Sequence, residues 1–449
     1  MEIVYERSDT GWLFESSART DMKARLYAVL RSMGLRQGVT MGVAMVLAGA
    51  FDYGVNVVAG RWLPPVEYGI FVSVTAIVQV LLLLSVGIRM VVAFYTAELS
   101  LKADSINRVA AFVQRSWRWA WQWGLLAMMI MVLASPFLGR LLQLPNPWPL
   151  WAASLMVLAL FLREAVYGVL QGLQAFAGLG LVQVAQAVLR LLLAGCFLWL
   201  EPRATGAIIA QPLGCAVALC LGLWWLRPHF QRRSDVVDHA VSWHYSACTL
   251  LGLATFGLLT NLDALFVKHF FNPQTAGDYG PVVTLAKIAL FLPWAIGIVL
   301  FPKVTQRQAS GRDPRPILWL SLTAALAPGF AITTLFFIYP GMLVRTIFTA
   351  AYADPGVVLG LASLAASLYA GLFIWLNYSL SLERRGFVYA LIGVLCWQAL
   401  GMFLFGRGSL IRMTLAMVSA GLIGNIAGFV TTRTQVPALR AIRVEAAGQ

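Results

Sequence analysis

Twelve stretches of mostly apolar residues constrain this chain more than any other feature. A helix needs about 20 such residues to cross the hydrocarbon core of a bilayer. Of the 449 residues, 60% are hydrophobic and only 12% are charged, whereas soluble domains carry about 25% charged residues. The pattern excludes a soluble or disordered chain and predicts an all-α integral membrane protein with about 12 transmembrane helices. The stretches are 39–59, 66–96, 119–142, 147–170, 180–201, 205–226, 243–270, 279–302, 317–339, 356–381, 387–405 and 410–431.

Lysine and arginine residues predict the orientation, because they accumulate in the loops on the cytoplasmic side. With the N-terminus inside, the inner segments hold 22 of the 33 basic residues, the outer connections hold 7, and four lie within spans. Both termini are therefore expected in the cytoplasm. The same bias explains most of the formal net charge of +14 without a nucleic-acid partner.

The order of the spans divides the chain into five parts. The segment 22–36 mixes basic and apolar residues, which fits either an interfacial helix on the inner leaflet or an ordinary basic flank. The expected parts are a cytoplasmic N-terminal tail (1–38), an N-lobe of six spans (39–226), a cytoplasmic linker (227–242), a C-lobe of six spans (243–431) and a cytoplasmic tail (432–449).

An internal repeat supports the division into two lobes. A shift of 211 positions brings Asp52 onto Asp263, and it brings the corner 67–69 onto the corner 278–280, Asp-Tyr-Gly. Each repeat has an even number of spans, so the lobes keep the same orientation and are related by a pseudo-two-fold axis along the membrane normal. Two six-helix bundles with a shared cavity between them are expected.

Two segments, 60–88 and 261–306, resemble a known family. They are similar to the first hairpin and to the seventh and eighth helices of bacterial polysaccharide flippases, which belong to the multidrug/oligosaccharidyl-lipid/polysaccharide (MOP) exporter superfamily, with its MATE-like fold. The resemblance implies a flippase in the bacterial cytoplasmic (inner) membrane that moves an undecaprenyl-pyrophosphate-linked oligosaccharide to the outer leaflet by alternating access. It also implies a basic cavity lined chiefly by the first, second, seventh and eighth helices.

Charged residues inside the spans are candidate site residues, because a charge in mid-membrane costs several kcal/mol. Gln183 and Gln186 share a helix face with Arg190, so this stripe either lines a wet cavity or contacts a neighbouring helix. Arg163 and Glu164 are adjacent and point about 100° apart, so they need not pair. The candidate substrate-binding residues are Arg190, Lys287, Arg89, Arg163, Gln183 and Gln186.

Two aspartates at equal depths are candidates for ion coupling. Asp52 has Asn56 one turn later, and Asp263 has Asn261 two residues earlier. Such a carboxyl group either exchanges a proton during transport, helps to coordinate Na⁺, or forms a structural ion pair across the lobes. Apart from H⁺ or Na⁺, no cofactor is expected, and no structural or catalytic metal site is predicted.

Other membrane functions fit the sequence less well than a flippase does. A multidrug exporter of the same superfamily is the main alternative, although cationic drugs favour an acidic cavity and the intramembrane charges lean basic. A membrane glycosyltransferase or polymerase is disfavoured, because no outer connection is long and no catalytic motif appears. The protein is therefore expected not to be an enzyme. Its expected partners are the lipid-linked oligosaccharide, membrane lipids, and the polymerase and glycosyltransferases of the same pathway.

Overall fold

A computed structural model describes most of the chain. The described residues are 33–100, 105–231, 243–290, 313–382 and 384–433, together with 296, 300, 304 and 307. The N-terminal tail, most of the predicted linker, the inner part of the eighth span and the C-terminal tail lie outside these residues. The expectations for an interfacial helix and for the linker therefore stay predictions.

Six long helices form the first half of the chain. Proline occupies the first turn of α2 and of α4, where its missing N–H costs nothing. Their bounds extend the predicted spans by a few residues at most ends, and by 14 residues at the start of α3. The helices are α1 (Met33–Trp62), α2 (Pro65–Ser100), α3 (Ser105–Leu141), α4 (Trp148–Gly172), α5 (Phe176–Leu200) and α6 (Ala204–Phe230).

Eight helices are described in the second half. Two of the predicted spans depart from a single straight helix. The seventh is the pair α7 and α8, bent by 42°, and the eighth begins as α9 and continues as a 3₁₀ segment at Lys287–Leu290. The helices are α7 (Trp243–Leu259), α8 (Leu262–Phe270), α9 (Pro273–Ala286), α10 (Arg315–Ile338), α11 (Pro340–Ile347), α12 (Val357–Ser381), α13 (Gly386–Phe405) and α14 (Leu410–Arg433).

Eleven of the twelve predicted spans correspond to described helices that are long and apolar enough to cross a membrane. Ten are single helices and the eleventh is the bent pair. The eighth predicted span is described in full only as far as Leu290. The predicted fold class, an all-α bundle of membrane helices, is confirmed.

The break between α7 and α8 is stabilised by the side chains that interrupt it. A bend leaves backbone carbonyls without their helical partners, and inside a membrane these need a substitute. The Thr260 hydroxyl donates to Phe256 O at 3.0 Å, and Asn261 Nδ2 donates to Gly257 O at 2.8 Å. Asn261 N bonds to Leu258 O, so the Asn261 side chain replaces the donor that Gly257 O loses, whereas Phe256 O keeps its helical partner, Thr260 N. The Asn261 amide oxygen is left available for another contact.

Helix α2 is the element that joins the two halves. It packs against α4 within the first half and against α7, α8 and α9 in the second. Where α2 crosses α9, a Cβ on Gly69 would approach Gly277 Cα at 3.0 Å, and one on Gly277 would overlap Pro65 O. Glycine allows two helix backbones to approach this closely. The two copies of the repeated corner therefore lie at a close helix crossing between the halves.

Candidate substrate cavity

A cavity of about 320 Å³ lies between the two halves. Helices α1, α2, α4, α5 and α6 line it from the first half, and α7, the α7–α8 break, α9 and the 3₁₀ segment line it from the second. Its polar lining residues are Asp52, Tyr53, Asn56, Thr75, Gln79, Arg163, Gln186, Arg190, Gln211, Thr260, Asn261, Thr284 and Lys287.

Lys287 contacts both halves across this cavity. Its Nζ donates to Asn261 Oδ1 at 2.6 Å, on the α7–α8 break, and to Gln79 Oε1 at 3.0 Å, on α2. Both acceptors are neutral amide oxygens. An ammonium group can donate three hydrogen bonds, so the two amides orient the cation without neutralising it by direct contact.

Arg190 forms an ion pair with the first of the two repeated aspartates. Its Nη1 lies 2.8 Å from Asp52 Oδ1, so α5 is joined to α1 within the first half. The carboxylate side chain is 46% exposed and that of the arginine 13%. The ion pair thus lies at the cavity wall. It lies within the first half, whereas the sequence allowed an ion pair across the two lobes as one alternative for Asp52.

Arg89 and Arg163 both contact Glu164. Arg163 donates from Nε to Glu164 Oε1 at 3.0 Å, so these adjacent residues do pair, and Arg89 Nε lies 3.2 Å from Oε2. The Glu164 side chain is only 1% exposed. Arg163 lines the cavity, whereas Arg89 and Glu164 lie behind its wall. This cluster carries two positive charges and one negative charge.

The predicted polar stripe on α5 is only partly in the cavity. Gln186 and Arg190 line it, and Gln186 Oε1 accepts a hydrogen bond from the Tyr167 hydroxyl at 2.8 Å. Gln183 is half-buried and lies outside the lining. The stripe therefore narrows to two residues at the cavity.

Asp263 lies in the second half, outside the cavity lining, where its carboxylate interacts electrostatically with Lys287 without a direct hydrogen bond. It is buried and accepts from the Tyr279 hydroxyl at 3.1 Å through Oδ2. Its Oδ1 has no hydrogen-bond partner among the described residues. Of the predicted ion-coupling residues, Asp52, Asn56 and Asn261 line the cavity, whereas Asp263 lies behind it. The two repeated aspartates thus have different partners and different surroundings.

Gln186, Asn56 and Asn261 were predicted from the sequence, but other uncharged polar residues of the lining were missed. Thr75 and Gln79 lie one turn apart on α2, and Gln211 lies on α6. All three are polar residues within mostly apolar spans. A polar residue in an apolar span is the signal that identified the charged candidates, but an uncharged group costs less to bury and the signal is weaker.

Comparison with solved structures establishes the fold of the protein. No protein-family model and no curated protein sequence matches the chain. An inward-facing multidrug resistance MATE family transporter of the MOP superfamily superposes with a TM-score of 0.66 at 13% identity, over 88% of this chain and 99% of that one. The lipid II flippase MurJ, in an inward closed conformation, gives a TM-score of 0.66 at 12% identity, over 88% and 87%.

A third solved structure has the same fold. It is a MOP superfamily transporter from Pyrococcus furiosus, described by the reverse polarity of its binding pocket, with a TM-score of 0.56 at 14% identity over 90% of this chain and 96% of that one. The chain is thus a multi-pass membrane protein with the fold of MATE transporters and MurJ.

Proposed function

We propose that the protein is a flippase that moves an undecaprenyl-pyrophosphate-linked oligosaccharide across the bacterial cytoplasmic membrane by alternating access. Lys287 carries this proposal. It is a cation inside the cavity whose two bonded partners are neutral amides, bridging residues from both halves. Such a cation can bind an anionic group without first giving up a bonded carboxylate. A pyrophosphate has the charge and the acceptor oxygens to fill that role.

The charges of the lining favour an anion. Arg163, Arg190 and Lys287 line the cavity, against one carboxylate, Asp52. Asp263 and Glu164 lie behind the wall, where they offset part of the positive charge without occupying the cavity. Among proteins of this fold, MurJ is by name a lipid II flippase, which supports a lipid-linked substrate.

Ion coupling is the second part of the proposal. Asp263 is buried with one carboxylate oxygen unpartnered, whereas Asp52 is engaged by Arg190. A buried carboxylate oxygen without a hydrogen-bond donor can take up a proton or a small cation. We therefore assign H⁺ or Na⁺ coupling to Asp263, with Asp52 as an ion-pair partner within the first half. Both termini are assigned to the cytoplasm, and the polymerase and glycosyltransferases of the pathway are the proposed partners.

Export of cationic drugs is the alternative function. The solved MATE transporters have this fold, and Tyr53 and Phe256 give the cavity two aromatic side chains. A drug cation would bind to Asp52, which Arg190 already holds. Drug susceptibility of cells with and without the gene separates the two functions, because a flippase leaves it unchanged.

The main test is flipping in proteoliposomes. Lys287→Met keeps the length of the side chain and removes the charge, so flipping of a prenyl-diphosphate-linked saccharide should fall at least about tenfold, the effect of about 1.4 kcal/mol. Arg203→Gln, an exposed surface cation paired with Glu201, is the control and should behave as the wild type. In cells, Arg190→Ala with Lys287→Ala should abolish surface polysaccharide at unchanged protein abundance. Wild-type flipping by Lys287→Met would refute the proposal.

A further inference from the structure

Three polar atoms on the cavity wall are buried without a hydrogen-bond partner among the described residues. They are Thr75 Oγ1 on α2, Arg190 Nε on α5 and Gln211 Oε1 on α6. All three helices belong to the first half of the chain. Buried polar groups in native proteins are nearly always paired, and leaving one unpaired is costly. Three such atoms around one cavity indicate that their partners arrive with a ligand.

The chemistry of the three atoms restricts the ligand. The Gln211 carbonyl oxygen can only accept a hydrogen bond, Arg190 Nε can only donate one, and the Thr75 hydroxyl can do both. An ionised phosphate can satisfy Arg190 and Thr75, but it has no proton to give to Gln211. Hydroxyl groups both donate and accept, so neighbouring hydroxyls on a sugar ring can satisfy all three atoms.

The position of these atoms relates them to Lys287. Thr75 precedes Gln79 by four residues on α2, and Gln79 is one of the two amides that hold the Lys287 ammonium. Residues four apart lie on the same helix face, one turn or about 6 Å along the axis. A sugar joined directly to a diphosphate spans a comparable distance from the phosphorus atoms to its ring hydroxyls. Thr75 is therefore placed to contact the sugar of a substrate whose diphosphate is bound by Lys287.

We propose that Thr75, Gln211 and Arg190 Nε form a hydroxyl-binding subsite for the saccharide nearest the diphosphate of a lipid-linked substrate. The proposal rests on the proposed function, because it assigns the diphosphate to Lys287. It adds that the first half of the chain selects the sugar, whereas Lys287 binds any prenyl diphosphate.

Two probes separate the subsite from the lysine. They are farnesyl diphosphate and a hexosyl farnesyl diphosphate, with dissociation constants measured on the purified full-length protein in detergent. The test variant is Thr75→Val with Gln211→Met, which removes the hydroxyl and the carboxamide at nearly constant volume. The control is Thr96→Val, because Thr96 Oγ1 is also buried and unpartnered on α2 but lies away from the cavity.

The expected results differ between the probes. The wild type should bind the hexosyl probe about tenfold more tightly than the sugar-free probe. The double variant should lose this difference and keep the wild-type affinity for farnesyl diphosphate, and Thr96→Val should retain both affinities. Lys287→Met should weaken the binding of both probes.

Other outcomes overturn the subsite. Equal affinity of the wild type for the two probes would show that the three unpartnered atoms bond to water and not to a sugar. An equal loss for both probes in the double variant would show a general packing role. If the wild type binds neither probe, the subsite and the proposed function fail together, whereas binding of both without a preference leaves the proposed function intact.

Discussion

The four cations within the membrane differ in how their charge is balanced. Arg89 and Arg163 share the buried carboxylate of Glu164, Arg190 has Asp52, and Lys287 has two amide oxygens. The sequence could predict that these residues matter, because charges in apolar spans are rare and expensive. It could not predict the partners, since Lys287 lies 26 and 208 residues from the two amides that bind it.

The pairing at Glu164 makes a clear prediction for stability. Glu164→Gln removes the negative charge between two guanidinium groups and leaves them unpaired in a buried setting. Removing one partner of a buried ion pair costs about 3–5 kcal/mol, so the detergent-solubilised protein should unfold at a clearly lower temperature. Glu201→Gln is the control, because its ion pair with Arg203 is solvent-exposed and such pairs contribute about 0–1 kcal/mol. Equal melting temperatures for the two variants would contradict the structural role.

The different surroundings of the two repeated aspartates predict different effects on coupling. Asp263→Asn removes the carboxylate with the unpartnered oxygen, so the dependence of flipping on pH or on Na⁺ should change. Asp52→Asn removes the charge that pairs with Arg190 and leaves only an amide oxygen as acceptor, so it should lower the rate while the ion dependence is retained. Flipping in proteoliposomes under separate pH and Na⁺ gradients measures both effects. Wild-type ion dependence in the Asp263→Asn variant would show that this aspartate is structural.

At the scale of elements, the sequence predicted the spans better than their interruptions. Long apolar runs fix where helices lie, and most described ends fall within a few residues of the prediction. The break after Leu259 and the 3₁₀ segment at Lys287 were not predicted. At the break, side chains of Asn261 and of Gln398, from another helix, bond to the carbonyls of Gly257 and Leu259. Such contacts between distant residues leave no local periodicity in the sequence.

The crossing of α2 and α9 predicts a strict requirement for glycine. In Gly277→Ala the new methyl group would overlap Pro65 O, so the two helices must separate and the contact between the halves weakens. We expect a lower melting temperature and slower flipping. Gly393→Ala on α13 is the matched control, because a Cβ there has no neighbour within 4 Å and alanine favours the helix. A Gly277→Ala protein as stable and active as this control would contradict the close crossing.

For the whole molecule, the repeat predicts the architecture but not the chemistry of the cavity. A shift of 211 positions brings Arg190 onto Gly401, and Lys287 is the counterpart of Ala76. Arg163, the third cation of the lining, falls onto Ile374. None of the three cavity cations therefore has an equivalent in the other half. The repeated apolar residues set the packing of the helices, whereas the polar residues of the cavity set its chemistry. The two halves can therefore share a fold and differ in the charges that they place in the cavity.

The two halves are also joined by polar contacts at the predicted outer face, where α1 ends. Arg61 donates from Nε to Ile347 O at 2.8 Å and from Nη2 to Thr346 O at 2.7 Å. These carbonyls end α11, where the helix dipole favours a cation. The Tyr352 hydroxyl donates to Gly60 O at 2.7 Å. We call these contacts the outer latch. In the proposed alternating-access mechanism, we expect them to break when the cavity opens outward.

Weakening the outer latch should shift the protein towards the outward-open state. Arg61→Gln with Tyr352→Phe removes three hydrogen bonds, and a loss of about 2 kcal/mol would raise the open population about thirtyfold. A cysteine at Val72, a lining residue, in a background without the five native cysteines, reports this opening through a membrane-impermeant maleimide added outside. Arg345→Gln, at an exposed position of α11, is the control and should label at the wild-type rate. Because the latch stabilises only the closed state, labelling should be faster in the double variant alone. Equal rates in all three proteins would mean that other contacts keep the outer face closed.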